Sequence, residues 1–180
     1  MAGEKKKGRR AYLDDFTPTV SGGYVYSGQM FLFDGDESRR RRLLGQLGGL
    51  WAAVTAAELL CGLVRAPGAT GCFYVVLPYV GALVASFSVA WGLIRLVREG
   101  PRLRAYVYEA TVEKFPLRLS LAALCAGLAL AGECLFVFRH GAQGRQAGLA
   151  VYLAGQGAAL AGALLWRRLS RKLVYRPQGR

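Results

Sequence analysis

Four long apolar runs leave this chain few ways to fold. Residues 43–64 carry one charge, Glu58; residues 72–94 carry none; residues 119–138 carry only Glu133; residues 146–166 carry none. Each run is close to the roughly 20 residues that a helix needs to cross about 30 Å of hydrocarbon. A soluble helix seldom stays apolar on every face for so long. The runs predict an all-α integral membrane protein with four transmembrane helices. The connecting turns, 65–71 and 139–145, are short, so the spans form two tandem helical hairpins of antiparallel neighbours.

A net charge of +13 raises the question of nucleic acid, and the placement of the charge answers it. Of 24 Lys and Arg, 21 lie before the first span, between the second and third, or after the fourth; only Arg65, Arg139 and Arg145 lie near the other two turns. That is the positive-inside pattern, with both termini and the middle loop cytoplasmic. Arg39-Arg40-Arg41-Arg42 and Arg167-Arg168 sit at membrane edges, where they anchor helices and attract anionic headgroups. Lipid, and not nucleic acid, is the expected partner of this basic surface. The first 42 residues hold no apolar run that would serve as a cleaved signal, so the first span is expected to direct insertion into a plasma-type membrane.

The chain divides accordingly into a cytoplasmic segment 1–42, a first helical hairpin 43–98, a cytoplasmic loop 99–116, a second hairpin 117–168 and a basic tail 169–180. Lys5-Lys6-Lys7 with Arg9-Arg10, and Asp14-Asp15, read as solvated. Aromatic and β-branched residues flank Ser27-Gly28, which predicts a β-hairpin over 24–33. Tyr24-Val25-Tyr26 recurs as Tyr106-Val107-Tyr108, so 106–115 is expected to supply a second strand element, and the two copies to pair as a small sheet.

The recurrence extends into the spans. A shift of 75 places Glu58 on Glu133, and a shift of 73 places Tyr79 on Tyr152. Together they predict a parallel internal repeat with a pseudo-twofold axis along the membrane normal. From the ends of their spans, both glutamates lie about 8–9 Å below the outer edge and both tyrosines about 9–10 Å. Glu58, Tyr79, Glu133 and Tyr152 therefore share one polar layer. An ionised carboxylate in lipid costs roughly 2.5–3.5 kcal/mol on insertion scales. A neutral acid bonded to a tyrosine hydroxyl avoids that cost, as does a cation such as Arg65 or His140. Pro78 is expected to kink the second span beside Tyr79. Gln156, near mid-membrane, needs a partner.

Gly45 and Gly49, and Gly155 and Gly162, are spaced for close helix packing. Cys61 and Cys72 flank one turn and are candidates for a disulfide on an oxidising face. Cys125 and Cys134 read as small apolar residues.

The one histidine, His140, leaves no basis for a metal set or a Ser-His dyad. No phosphate-cradling glycine loop is present. No cofactor, metal or catalytic residue is expected. A lipid-modifying enzyme lacks a recognisable base and metal constellation. The expectation is a non-catalytic accessory or scaffold subunit, bound to another membrane protein or to itself as a homodimer. The alternative is a small proton- or cation-coupled transporter using Glu58 and Glu133.

Overall fold

The computed structural model describes residues 16–18, 23–69 and 71–178. The lysine and arginine cluster at 5–10 and Asp14-Asp15 lie outside the described residues. The elements are β1 (Phe16–Pro18), β2 (Tyr24–Tyr26), β3 (Met30–Phe33), α1 (Glu37–Leu63), α2 (Phe73–Glu99), β4 (Arg102–Arg104), α3 (Ala105–Ala110), α4 (Phe115–His140), α5 (Gln146–Ser170) and β5 (Tyr175–Pro177). Four helices, α1, α2, α4 and α5, are long and apolar enough to cross a membrane. They give the chain the architecture of a multi-pass membrane protein.

Local chemistry sets the helix ends. Asp36 caps α1, its carboxylate accepting from the Ser38 amide at 3.2 Å. Pro116 stands in the first turn of α4, where a missing N–H leaves no bond unmade. Gly100, with φ of 79°, ends α2 in a conformation that a side chain would resist. Pro78 does not end α2, which runs unbroken past it.

The four long helices form a ring in which α1 packs on α2 and α5, and α4 packs on α2 and α5. The α1–α2 seam is the most sparsely packed of the four. The interior is graded along its axis. At one end Leu47, Val89, Leu93, Leu96, Phe115, Leu119 and Trp166 form a large-residue core. In the middle, Ala82 meets Ala126 and Ala159, and Ala85 meets Ala122 and Ala163, which draws α2, α4 and α5 close together. At the other end, under the two turns, Cys61, Ala66, Val75 and Tyr152 close the bundle.

A small sheet covers the large-residue end. Its order is β4-β3-β5, all antiparallel, with Phe31 opposite Leu103 and Pro177, and Phe33 opposite Tyr175. The expected 24–33 hairpin does not form: β2 pairs instead with β1, Phe16 opposite Tyr26. The chain turns aside at Ser27-Gly28, and the backbone carbonyl of Gln29 accepts from Ala105 N at 3.1 Å, which directs β3 to β4. Nor is Tyr106-Val107-Tyr108 a strand. It lies in α3, where helical geometry buries Val107 completely and lets Tyr108 stack on Phe31 at 4.2 Å between centroids. The basic tail carries a strand, β5, that the sequence reading lacked.

Arg40 ties the sheet to the bundle. It is 3% exposed, and so is no free membrane-edge cation. Its guanidinium donates to Leu96 O at 2.6 Å and to the Tyr175 hydroxyl at 3.4 Å, and pairs with Glu37. Arg39, Arg41 and Arg42 are exposed, as expected of an edge.

Gly132 explains how α2 and α4 pack so closely. Pro78 has no N–H, so the carbonyl of Tyr74 loses its helical donor. Gly132 of α4 lies against this carbonyl: a Cβ at Gly132 would sit 2.9 Å from Tyr74 O. Gly132→Ala is therefore expected to lower unfolding stability by about 1–3 kcal/mol through overpacking. Gly127→Ala, with nothing within 4 Å of the new Cβ, is expected to gain up to about 1 kcal/mol of helix propensity. Unfolding in mixed micelles measures both. A second expectation concerns Tyr175, whose hydroxyl burial pushes up and Arg40 pulls part of the way back. The unfolded phenol then loses its proton first, near pH 10, so Tyr175 contributes stability that is full below that pH and is lost as pH rises above it. Tyr175→Phe should flatten the alkaline limb of the stability-against-pH curve.

Candidate functional site

Trp51, Thr55 and Glu58 follow one another at i, i+4 and i+7, and so share one face of α1. They converge on Ser86 of α2. Trp51 Nε1 donates to Ser86 O at 3.1 Å, the Thr55 and Ser86 hydroxyls are 2.9 Å apart, and the Glu58 carboxyl hydrogen-bonds the Ser86 side chain. Thr55, Glu58 and Ser86 are all buried. This three-pronged grip spans the most weakly packed seam of the ring. Beside it is a cavity of about 20 Å³, lined by Glu58, Ser86, Trp51, Trp166 and small residues of α4 and α5. About 10–15 Å³ suffices for one water. The Glu58 Oε2 atom has no partner within the protein.

Glu133 is equally buried and differently employed. Its Oε1 accepts from Gly68 N at 3.0 Å, which fastens the first turn to α4. Gly68 permits the approach, because a Cβ there would lie 2.6 Å from Oε2. The two glutamates thus occupy matching places in the sequence and hold different helix pairs. Neither belongs to an ion pair: among the described residues, the ion pairs are Glu37–Arg40, Glu37–Arg41 and Asp34–Arg176. His140 is exposed, its ring stacked on Phe136.

The tyrosines do not bond the carboxyls. Tyr79 donates to the backbone carbonyl of Glu58 at 3.0 Å. Gly62 makes room for it, since a Cβ there would collide with the Tyr79 hydroxyl. Tyr152 is fully buried and its hydroxyl has no partner. Its ring lies 6.3 Å from that of Tyr79. Gln156, one turn along α5, is also fully buried, with neither amide atom partnered. Cys61 adjoins both, its thiol donating to Tyr152 O at 3.6 Å. Glu58, Tyr79, Tyr152 and Gln156 therefore gather around Cys61, and Glu133 lies under the first turn on the Tyr152 side.

Cys61 and Cys72 are both free thiols. Cys61 points into the bundle toward α5 and Cys72 caps the start of α2, so no disulfide joins them. Gly155 and Gly162 face α1: a Cβ on the first would meet Cys61 and Ala57 O, and on the second Val54. Gly45 and Gly49 do not pack in the bundle. They are exposed, with nothing within 4 Å of an added Cβ.

Ser86, Thr55 and Gly68 were not singled out from the sequence. The i, i+4, i+7 spacing of Trp51, Thr55 and Glu58 was the available signal for Thr55; Ser86, on another helix, had none. For Gly68 no local signal exists, because its partner lies 65 residues away. Toward the sheet, the site is closed by the large-residue core, across which Trp166 Nε1 donates to Leu47 O at 2.9 Å. Among the described residues no group of three His, Cys, Asp or Glu side chains is placed to hold a metal.

The grip on Ser86 is expected to show in a mutant cycle. Ser86→Ala strands the buried Thr55 hydroxyl and Glu58 carboxyl, at about 1–3 kcal/mol of stability. Thr55→Val in the Ser86→Ala background should cost less than alone, with a coupling of about 0.5–3 kcal/mol; strict additivity in the unfolding data would contradict the shared bond. Comparison of the chain with protein families, with curated proteins and with solved structures finds no match, so its function must be argued from this arrangement.

Proposed function

We propose that the chain is a non-catalytic accessory or scaffold subunit that docks against a helix of another membrane protein. The observation that carries this reading is the asymmetry of the outward surface. The lipid-facing sides of α2 and α4 present large side chains, among them Val84, Phe87, Trp91, Leu121, Leu124 and Leu128. The adjoining faces of α1 and α5 present Gly45, Gly49, Ala53, Ala154, Ala158 and Ala161, with Leu59, Leu60, Leu63, Val151, Leu164 and Leu165 exposed nearer the helix ends. Lipid gains nothing from small residues, whereas an approaching helix backbone does. Gln46, exposed beside Gly45, offers an amide for a bond across that contact. In this reading the sheet end is cytoplasmic, by the positive-inside pattern, and Arg39, Arg41, Arg42 and Arg168 meet anionic headgroups of a plasma-type membrane. A parallel duplication would require α1 and α4 each to touch α2 and α5, as they do, and would make α1–α2 equivalent to the more closely packed α4–α5 pair.

A proton- or cation-coupled carrier is the second reading. The unpartnered carboxyl oxygens of buried Glu58 and Glu133 favour it. It requires the leucine and aromatic core below Glu58 to open during transport.

A photo-crosslinking residue at Ala53 is expected to give one discrete adduct in native membranes, and the same residue at Leu124 none. Gly49→Leu with Ala154→Leu should abolish that adduct while unfolding stability stays within about 0.5 kcal/mol, as for surface sites. An adduct at twice the chain's mass identifies the partner as a second copy; equal labelling from both positions rejects docking by this face. For the carrier reading, proton flux into vesicles containing the protein alone should vanish with Glu58→Gln plus Glu133→Gln.

A further inference from the structure

The thinly packed α1–α2 seam opens beneath the first turn into a cavity of about 360 Å³. Small-molecule sites run from about 300 to 1,000 Å³. Val76, Val80 and Leu63 supply apolar wall, Tyr79 and Tyr152 line the inner part, and Arg65 lines it from the turn. Arg65 is the only charged side chain in this lining. It is exposed, and among the described residues no carboxylate pairs with it.

The two nearby acids are turned elsewhere, Glu58 to Ser86 and Glu133 to Gly68 N. Arg65 is thus the charged side chain that faces the cavity, and neither glutamate lines it. Tyr152 adds a donor without a protein partner: its hydroxyl is fully buried and bonds to nothing. A guanidinium and a phenol hydroxyl together suit an anionic oxygen, which Arg holds through paired N–H groups. The apolar walls suit a hydrocarbon stem. Because the seam faces the bilayer, a stem enters from the surrounding leaflet while its head meets Arg65.

We propose that this cavity binds a carboxylate or phosphate carried on an apolar stem, with Arg65 neutralising the head and Tyr152 donating to it. This site is separate from the docking face on α1 and α5 and does not depend on it.

Native mass spectrometry of the full chain in nonionic detergent tests the assignment. Decanoate, decanol and dioctanoyl phosphatidylglycerol serve as probes. One acidic probe per chain should be retained, and decanol at least about tenfold more weakly, the effect of one charge-assisted hydrogen bond. Retention of decanoate identifies a free acid as the ligand, and retention of phosphatidylglycerol alone identifies a lipid headgroup; loss of both overturns the proposal. Arg65→Gln and Tyr152→Phe should each weaken retention by about tenfold or more. Tyr152→Phe removes an unpartnered hydroxyl, so its melting temperature should not fall. Arg139→Gln removes an equal charge at the same end, outside the cavity lining, and should leave retention unchanged. Equal loss in Arg139→Gln, or wild-type binding by Arg65→Gln and Tyr152→Phe, overturns the proposal.

Discussion

Hydrocarbon offers no hydrogen bonds, so a polar group carried into the bundle gains most where the chain itself answers it. That constraint organises the molecule. Glu58 and Thr55 are answered by Ser86, which fixes α1 to α2. Glu133 is answered by a backbone amide of the first turn, which fixes that turn to α4. Tyr79 is answered by a backbone carbonyl of α1, near the end of its helix. The bonds of Thr55 and Tyr79 cross the thinly packed α1–α2 seam. Elsewhere stacked alanines bring α2, α4 and α5 together. Polar bonds also cross the denser seams, as Trp166 to Leu47 O and Arg118 to Ser88 O show.

The long-range features of the fold were legible wherever they depended on composition. An apolar run of about 20 residues states its own structure, because only a helix satisfies the backbone in lipid. The elements outside the bundle were less legible. A three-residue strand has almost no local signature, and its identity is set by partners far along the chain, as Phe31 shows by lying between Leu103 and Pro177. Tyr106-Val107-Tyr108 has the composition of a strand and the conformation of a helix, since burying Val107 in the core outweighs the weak preference of β-branched residues.

The candidate site was legible in its membership and not in its bonds. Depth along a helix follows from counting residues, and Tyr79 and Tyr152 lie with Cys61 at the turn end of the bundle. The rotation of each helix does not follow from counting. Backbone groups and a serine, invisible as partners in the sequence, took the roles assigned to the tyrosine hydroxyls. The glycines divide on the same ground: Gly155 faces a helix and Gly45 faces outward, and nothing in their spacing distinguishes them.

The central strand of the three-stranded sheet, β3, precedes the first span, while one of its two neighbours, β5, follows the fourth. During synthesis β3 therefore emerges long before β5 exists. Its second edge stays open until the chain has been threaded through the bilayer four times. Closure of the sheet, with Tyr175 reaching Arg40 at the head of α1, joins the beginning of the bundle to its end. A chain arrested after two spans would carry β3 with β4 on one edge and nothing on the other.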